Sequence, residues 1–154
     1  MRKYLIDSTQ AKARIVAIAL LADGALDKSE LDLLDRHAIV EWLGISHDDF
    51  DQVIHEFCDD MLQYARRNDC GELELGCDAV DSMLDEIHSR DLQKMLLRTI
   101  LEIVYVDRRL SAGEAALAAQ AMRRWRVVFG DVCDARPPRP WLTHTHRVAE
   151  VVRG

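Results

Sequence analysis

Asp23 and Asp27 bracket a glycine turn in the stretch "LLADGALDKSELDLL" (residues 20–34), and Glu30 follows three residues after the second acid. Three carboxylates this close can do one of two things. They can gather a hard cation, which takes oxygen ligands. They can also satisfy the free N–H groups at the start of a helix. Asp27 is a good N-cap residue, and Glu30 then falls at the third helical position, where a capping box puts its carboxylate. Leu26, just before the cap, stands where a hydrophobic staple belongs. Asp23 is different. It lies where a helix ends, beside partial negative charge, and so needs either turn N–H donors or a cation. The stretch is not an EF-hand. That loop needs dense oxygen donors over twelve residues and a central glycine, whereas here Gly24 directly follows Asp23 and neither Ala25 nor Leu26 carries a side-chain donor.

Other residue sets carry weaker chemistry. His47, Asp51 and His55 are spaced i, i+4, i+8 along one helix side, an imidazole–carboxylate stripe that suits a transition metal. The two histidines are about 12 Å apart along the axis, too far for one ion, so the stripe reads as a solvated helix edge. His144 and His146 form a tail pair read as incidental. The basic run "RRWR" (Arg123–Arg126) surrounds Trp125, an aromatic of the kind that stacks on single-stranded nucleic acid, but the run reads first as a helix C-terminus with favourable cations. There is no G-x-S-x-G, P-loop, H-E-x-x-H or paired E-x-x-H motif. The four cysteines (Cys58, Cys70, Cys77, Cys133) form no C-x-x-C pair and read as reduced structural thiols.

These residues must be placed by helices. Apolar positions at helical spacing predict a first helix from about Ser8 to Ala22, and a second from the Asp27 cap to Leu43, ended by Gly44. A third is capped by Ser46, with Asp48, Asp49 and Asp51 in its first turn and Phe50, Val53, Ile54, Phe57 and Met61 as its buried stripe. "RRNDCGELELG" reads as a connection. Further helices are expected over about 78–88, 91–106 and 112–128, and no convincing strand alternation appears. After Gly130 the character changes: "ARPPRPWLTHTHRVAEVVRG" holds all three prolines in a P-x-x-P run that reads as a semi-rigid linker, with Trp141 placed to pin the tail. The organisation expected is a helical domain over residues 1–130 and a Pro/Arg-containing tail over 131–154.

The opening stretch occurs twice. Shifted by 84 positions, "ADGALDKSE" falls on "VDRRLSAGE" (residues 106–114). Asp23 meets Asp107, Leu26 meets Leu110, Glu30 meets Glu114, and the cap residue Asp27 meets Ser111. Val16, Ala19 and Leu20 upstream meet Ile100, Ile103 and Val104. One unit of apolar helix, acidic turn and capped helix is thus repeated. The fold class expected is all-α: a single compact helical domain with two related helix–turn–helix halves.

With its extended helical middle and the second copy "ILEIVYVDRRLSAGEAALAAQAM", the chain over about residues 8–128 resembles the TerB-like, tellurite-resistance-associated helical domain family. The resemblance implies an all-α bacterial domain linked to tellurite resistance and stress response, beside membrane-associated or metal-sensing partners. It also implies acidic metal-binding positions, which carry over to Asp23, Asp27, Glu30, Asp107 and Glu114. The second copy departs from the pattern: Arg108 stands for the glycine and Ser111 for an acid, and a cation beside Asp107 disfavours metal there.

Composition bounds the function. The chain has 154 residues, 49% apolar and 31% charged, a globular mixture long enough for one real core. No apolar run approaches the roughly 20 residues that span a bilayer, and the first residues lack a signal-peptide pattern, so a cytoplasmic location is expected. The net charge of −7 is unevenly spread. Twelve acids lie between Asp23 and Asp60 against Lys28 and Arg36, while residues 92–154 are net positive. The acidic half favours cations or basic partners and repels phosphate. The expectation is a non-enzymatic binding or scaffold module with a protein partner of unknown identity; no cofactor is identified, and a weakly bound divalent cation is the candidate. The competing readings are a metal-dependent hydrolytic or redox enzyme built on an acidic cluster, and a nucleic-acid binder using the basic C-terminal face.

Overall fold

The computed structural model describes residues 1–22, 36–67, 73–106 and 112–134. Seven helices run in chain order among them: α1 (Thr9–Leu21), α2 (Arg36–Leu43), α3 (His47–Tyr64), α4 (Cys77–Leu84), α5 (Arg90–Val106), α6 (Ala112–Trp125) and α7 (Phe129–Asp134). A two-residue antiparallel ladder, β1 (Arg66–Arg67) with β2 (Leu73–Glu74), joins the ends of the connection between α3 and α4, pairing Arg66 with Glu74 and Arg67 with Leu73. The fold is all-α and compact, as the spacing of apolar residues predicts.

Local chemistry sets the helix starts. Ser8 and Ser46 are extended residues whose hydroxyls accept from the N–H groups of Ala11 and Asp49, each at 3.1 Å. Asp48 and Asp49 lie in the first turn of α3, where the helix dipole favours them. Ser46→Ala should lower stability by about 1 kcal/mol, read as a shift of the urea midpoint; an unchanged midpoint would mean that water replaces the cap at no cost. The cap expectations for Asp27 and Ser111 fall outside the described residues.

The helix ends were only partly foreseeable. Gly44 takes a left-handed φ of 68°, and Ile45 N–H donates back to the Val40 carbonyl, closing α2 with a Schellman turn. Helix α6 ends the same way, three residues before the expected Val128. Arg126 adopts φ 52°, and Val127 N–H reaches the Met122 carbonyl. Helix α4 stops at Leu84 rather than near His88, because the chain turns there with Glu86 N–H bonded to the Met83 carbonyl and Ile87 N–H to the Leu84 carbonyl.

Helix α1 is the hub. It packs against α2, α3, α4 and α5, and Ala11, Ala13 and every residue from Arg14 to Ala19 are buried. An all-round apolar helix belongs in the centre of a domain. Around it lie Phe50, Val53 and Phe57 of α3, Met83 and Leu84 of α4, Leu96, Leu97 and Ile100 of α5, and Leu117 and Ala121 of α6. Trp125 closes the bottom of α6, only 5% exposed, and its indole N–H donates to the Leu84 carbonyl at 3.0 Å. Helix α7 crosses Gly130 and buries Val132 against the core, so the packed part of the chain continues past residue 130. Residues 135–154, with the proline run, Trp141 and the histidine pair, lie outside the described residues.

Candidate functional site

Of the five acids singled out by the sequence, Asp23, Asp27, Glu30 and Asp107 lie outside the described residues. Glu114 stands at the third position of α6 and is almost wholly buried, 3% exposed. What the structure does place is the described residues that flank the two acidic stretches. Ala22 is the C-cap of α1 and the last described residue before the first turn. Gly113 is the second residue of α6, just after the second turn. The two touch: a Cβ built on Gly113 would overlap the Ala22 carbonyl oxygen. The end of the first apolar helix therefore abuts the start of the helix that follows the second acidic turn. In the repeat alignment Gly113 matches Ser29, so this glycine breaks the internal symmetry in order to let two backbones meet.

A cleft of about 170 Å³ runs along this junction, between α1, α3, α4 and α6. Its walls are apolar, with Ile18, Phe57, Met61, Val80 and Leu117 among them, and among the described residues Gln120 is its one polar side chain apart from the Cys77 thiol. Gln120 is 7% exposed and donates from Nε2 to the Cys77 carbonyl and to Asp81 Oδ1, both at 2.8 Å, tying α6 to the start of α4.

A second concentration of polar groups went unnoticed in the sequence. Arg14, in the middle of the hub helix, is 1% exposed and forms a buried ion pair with Glu86. Its Nη1 donates to the Arg2 carbonyl at 2.6 Å, and Tyr4 covers its guanidinium, with the ring centroid 4.6 Å from Cζ. Glu86 also accepts from Tyr4 N–H, and Asp60, 6% exposed, accepts from Arg2 N–H at 2.9 Å. Asp7, at φ 58°, receives the N–H groups of His88 and Ser89 on its carboxylate. These charges bind the chain's own residues 1–7 across the ends of α1, α3 and α4. The signal available in the sequence was one arginine inside "AKARIVAIAL", a helix otherwise apolar on every side but for Lys12. Lys12 escapes by extending to the Leu43 carbonyl at 3.0 Å.

Beside this cluster a polar cleft of about 310 Å³ includes Tyr4, Asp49 and Glu56. The Tyr4 hydroxyl donates to Glu56 Oε2 at 2.5 Å. Burial and the carboxylate push the Tyr4 hydroxyl above its ordinary range, and the bond from Tyr4, aided by Gln52, holds Glu56 below the usual carboxylate range. The two shifts favour a protonated tyrosine beside a charged glutamate. Because the folded-state value of Glu56 is depressed, its contribution is present above the ordinary glutamate range and is lost as pH falls through the lowered value. Tyr4→Phe should therefore flatten the fall of the urea midpoint between pH 5 and pH 3; an identical fall in both proteins would exclude this pair as its source.

The remaining candidates take structural places. His47 and His55 are exposed on α3, and His55 Nδ1 lies 2.7 Å from the Asp51 carbonyl oxygen. Among the described residues no three His, Cys, Asp or Glu side chains gather as a metal site would require. Arg124 binds Asp85 through Nε at 2.7 Å and Nη2 at 2.5 Å, holding the Asp85 carboxyl below its ordinary range. Trp125 is buried beneath it, so the ring that would stack on a nucleobase is committed to the core. Cys58 is half-buried, its thiol pushed up by burial and by Asp59, and Cys77 is exposed. Among the described residues no helix is long and apolar enough to cross a membrane.

No protein-family model, curated protein or solved structure matches the chain.

Proposed function

We propose that this chain is a TerB-like, non-enzymatic binding or scaffold module of bacterial tellurite resistance or stress response, whose paired acidic turns respond to a divalent cation and whose main work is to hold a protein partner. The observation that carries the reading is the contact of Ala22 with Gly113. It sets the helix leading into the first acidic turn against the helix leading out of the second, the arrangement required if acids from both copies serve one ion. A single turn has too few oxygen donors, since Ala25 and Leu26 supply none, so any site needs ligands from both copies, from backbone carbonyls or from water. Arg108 beside Asp107 lowers the affinity further.

Calorimetric titration of Ca²⁺, Mg²⁺ and Zn²⁺ into the wild type and Asp23→Asn tests this. Weak binding by the wild type, lost or reduced in the variant, is the expected result. Sub-micromolar binding would contradict the weak, responsive site, and no heat from any ion would remove the cation from the proposal.

A further inference from the structure

We propose that the cleft between α1, α3, α4 and α6 is a binding site for a small, uncharged, mainly apolar molecule that carries one O–H or N–H donor, of about the size of a phenol. The volume of about 170 Å³ is close to that of the apolar cavities that accept benzene. Among the described residues the lining holds no Asp, Glu, Lys, Arg or His, so these walls suit an uncharged guest better than a charged headgroup or a phosphate. Phe57 and Leu117 give fixed apolar walls, and Met61 supplies an unbranched, polarisable side chain that adapts to the shape of a guest.

Gln120 decides the polar half of the match. Both of its recorded partners, the Cys77 carbonyl and Asp81 Oδ1, are acceptors. They fix the amide orientation, because only the NH₂ end can serve them. The Oε1 end is left as the acceptor, on a side chain 7% exposed that lines the cleft, and it accepts no hydrogen bond from a described residue. An amide oxygen in an apolar wall selects a guest that donates.

The test uses the full chain in EDTA, so that it is independent of any cation, with phenol and benzene as probes and NMR amide shifts as the readout. Phenol should shift residues of the cleft and bind about three- to tenfold more tightly than benzene, the increment of one neutral hydrogen bond. Gln120→Met should bring the two probes to equal affinity. Because Gln120 also ties α6 to α4, a second variant is needed: Ala116→Phe starts from an exposed position at the cleft and fills it without removing a core contact. It should abolish both bindings while the helical circular dichroism is unchanged. Phenol shifts scattered over the surface, or undiminished in Ala116→Phe, would overturn the site. Equal affinity of phenol and benzene for the wild type would overturn the role of Gln120.

Discussion

Arg14→Met should cost about 3–5 kcal/mol, the loss found when one partner of a buried ion pair is removed. The cost arises chiefly from what is left behind. Glu86, 7% exposed, keeps a carboxylate with no cation beside it, and the Arg2 carbonyl loses its donor. A domain of this kind has only about 5–15 kcal/mol of stability in total, so the variant should sit near the edge of folding. The companion change tests the cause. Glu86→Gln in the Arg14→Met background removes the stranded charge while leaving an oxygen to accept from Tyr4 N–H, and it should recover a large part of the loss. The pair is not itself an optimal source of stability, since Arg14 Nε is buried without a hydrogen-bond partner among the described residues. Its effect is to fix residues 1–7, and amide exchange in that segment should rise sharply in Arg14→Met. A urea midpoint equal to that of the wild type would show that the guanidinium is replaceable by any long side chain.

Gly113→Ala should cost about 1–3 kcal/mol, the usual range for overpacking a tight contact. The added methyl meets a backbone carbonyl, that of Ala22, which cannot rotate away as a side-chain tip would. Either α6 moves off α1 or the end of α1 unwinds. The control is Gly130, where a Cβ has nothing within 4 Å. Alanine there should be neutral or stabilising by about 0.4–1 kcal/mol, because it only restricts the unfolded chain. Equal effects at the two positions, measured by denaturant unfolding, would mean that the junction is looser than the contact implies.

The helices were legible because their signals are local. Ser8 and Ser46 announce helix starts through hydroxyls that bond within three residues, Gly44 announces an end through the left-handed backbone that a missing Cβ permits, and the apolar stripe of α3 points to the core that Phe50, Val53 and Phe57 enter. The missed boundaries depend on distant partners. The sequence pattern carries helix α4 on to about His88 because nothing near Leu84 signals a stop; the turn that follows is held by Asp7, some 80 residues earlier in the chain. Arg126 ends α6 in a left-handed conformation that sequence patterns assign to glycine or asparagine. The Arg14–Glu86 pair spans 72 positions, and a lone arginine in an apolar helix does not name its partner. For the candidate site, the repeat pointed to two acidic turns, while the glycine that brings their flanking helices together is visible only as a packing constraint. Gly113 sits where the first copy has Ser29, so the feature that joins the halves is the one at which their likeness fails.

The proposed cation response requires the two acidic stretches to act together. It is tested most directly by following backbone amide signals while Ca²⁺, Mg²⁺ or Zn²⁺ is added to the full chain. Signals from 22–30 and from 106–114 should move together along one weak binding curve, and Asp23→Asn should reduce the movement in both segments. Shifts confined to one turn, or centred instead on His47 and His55 of α3, would contradict it.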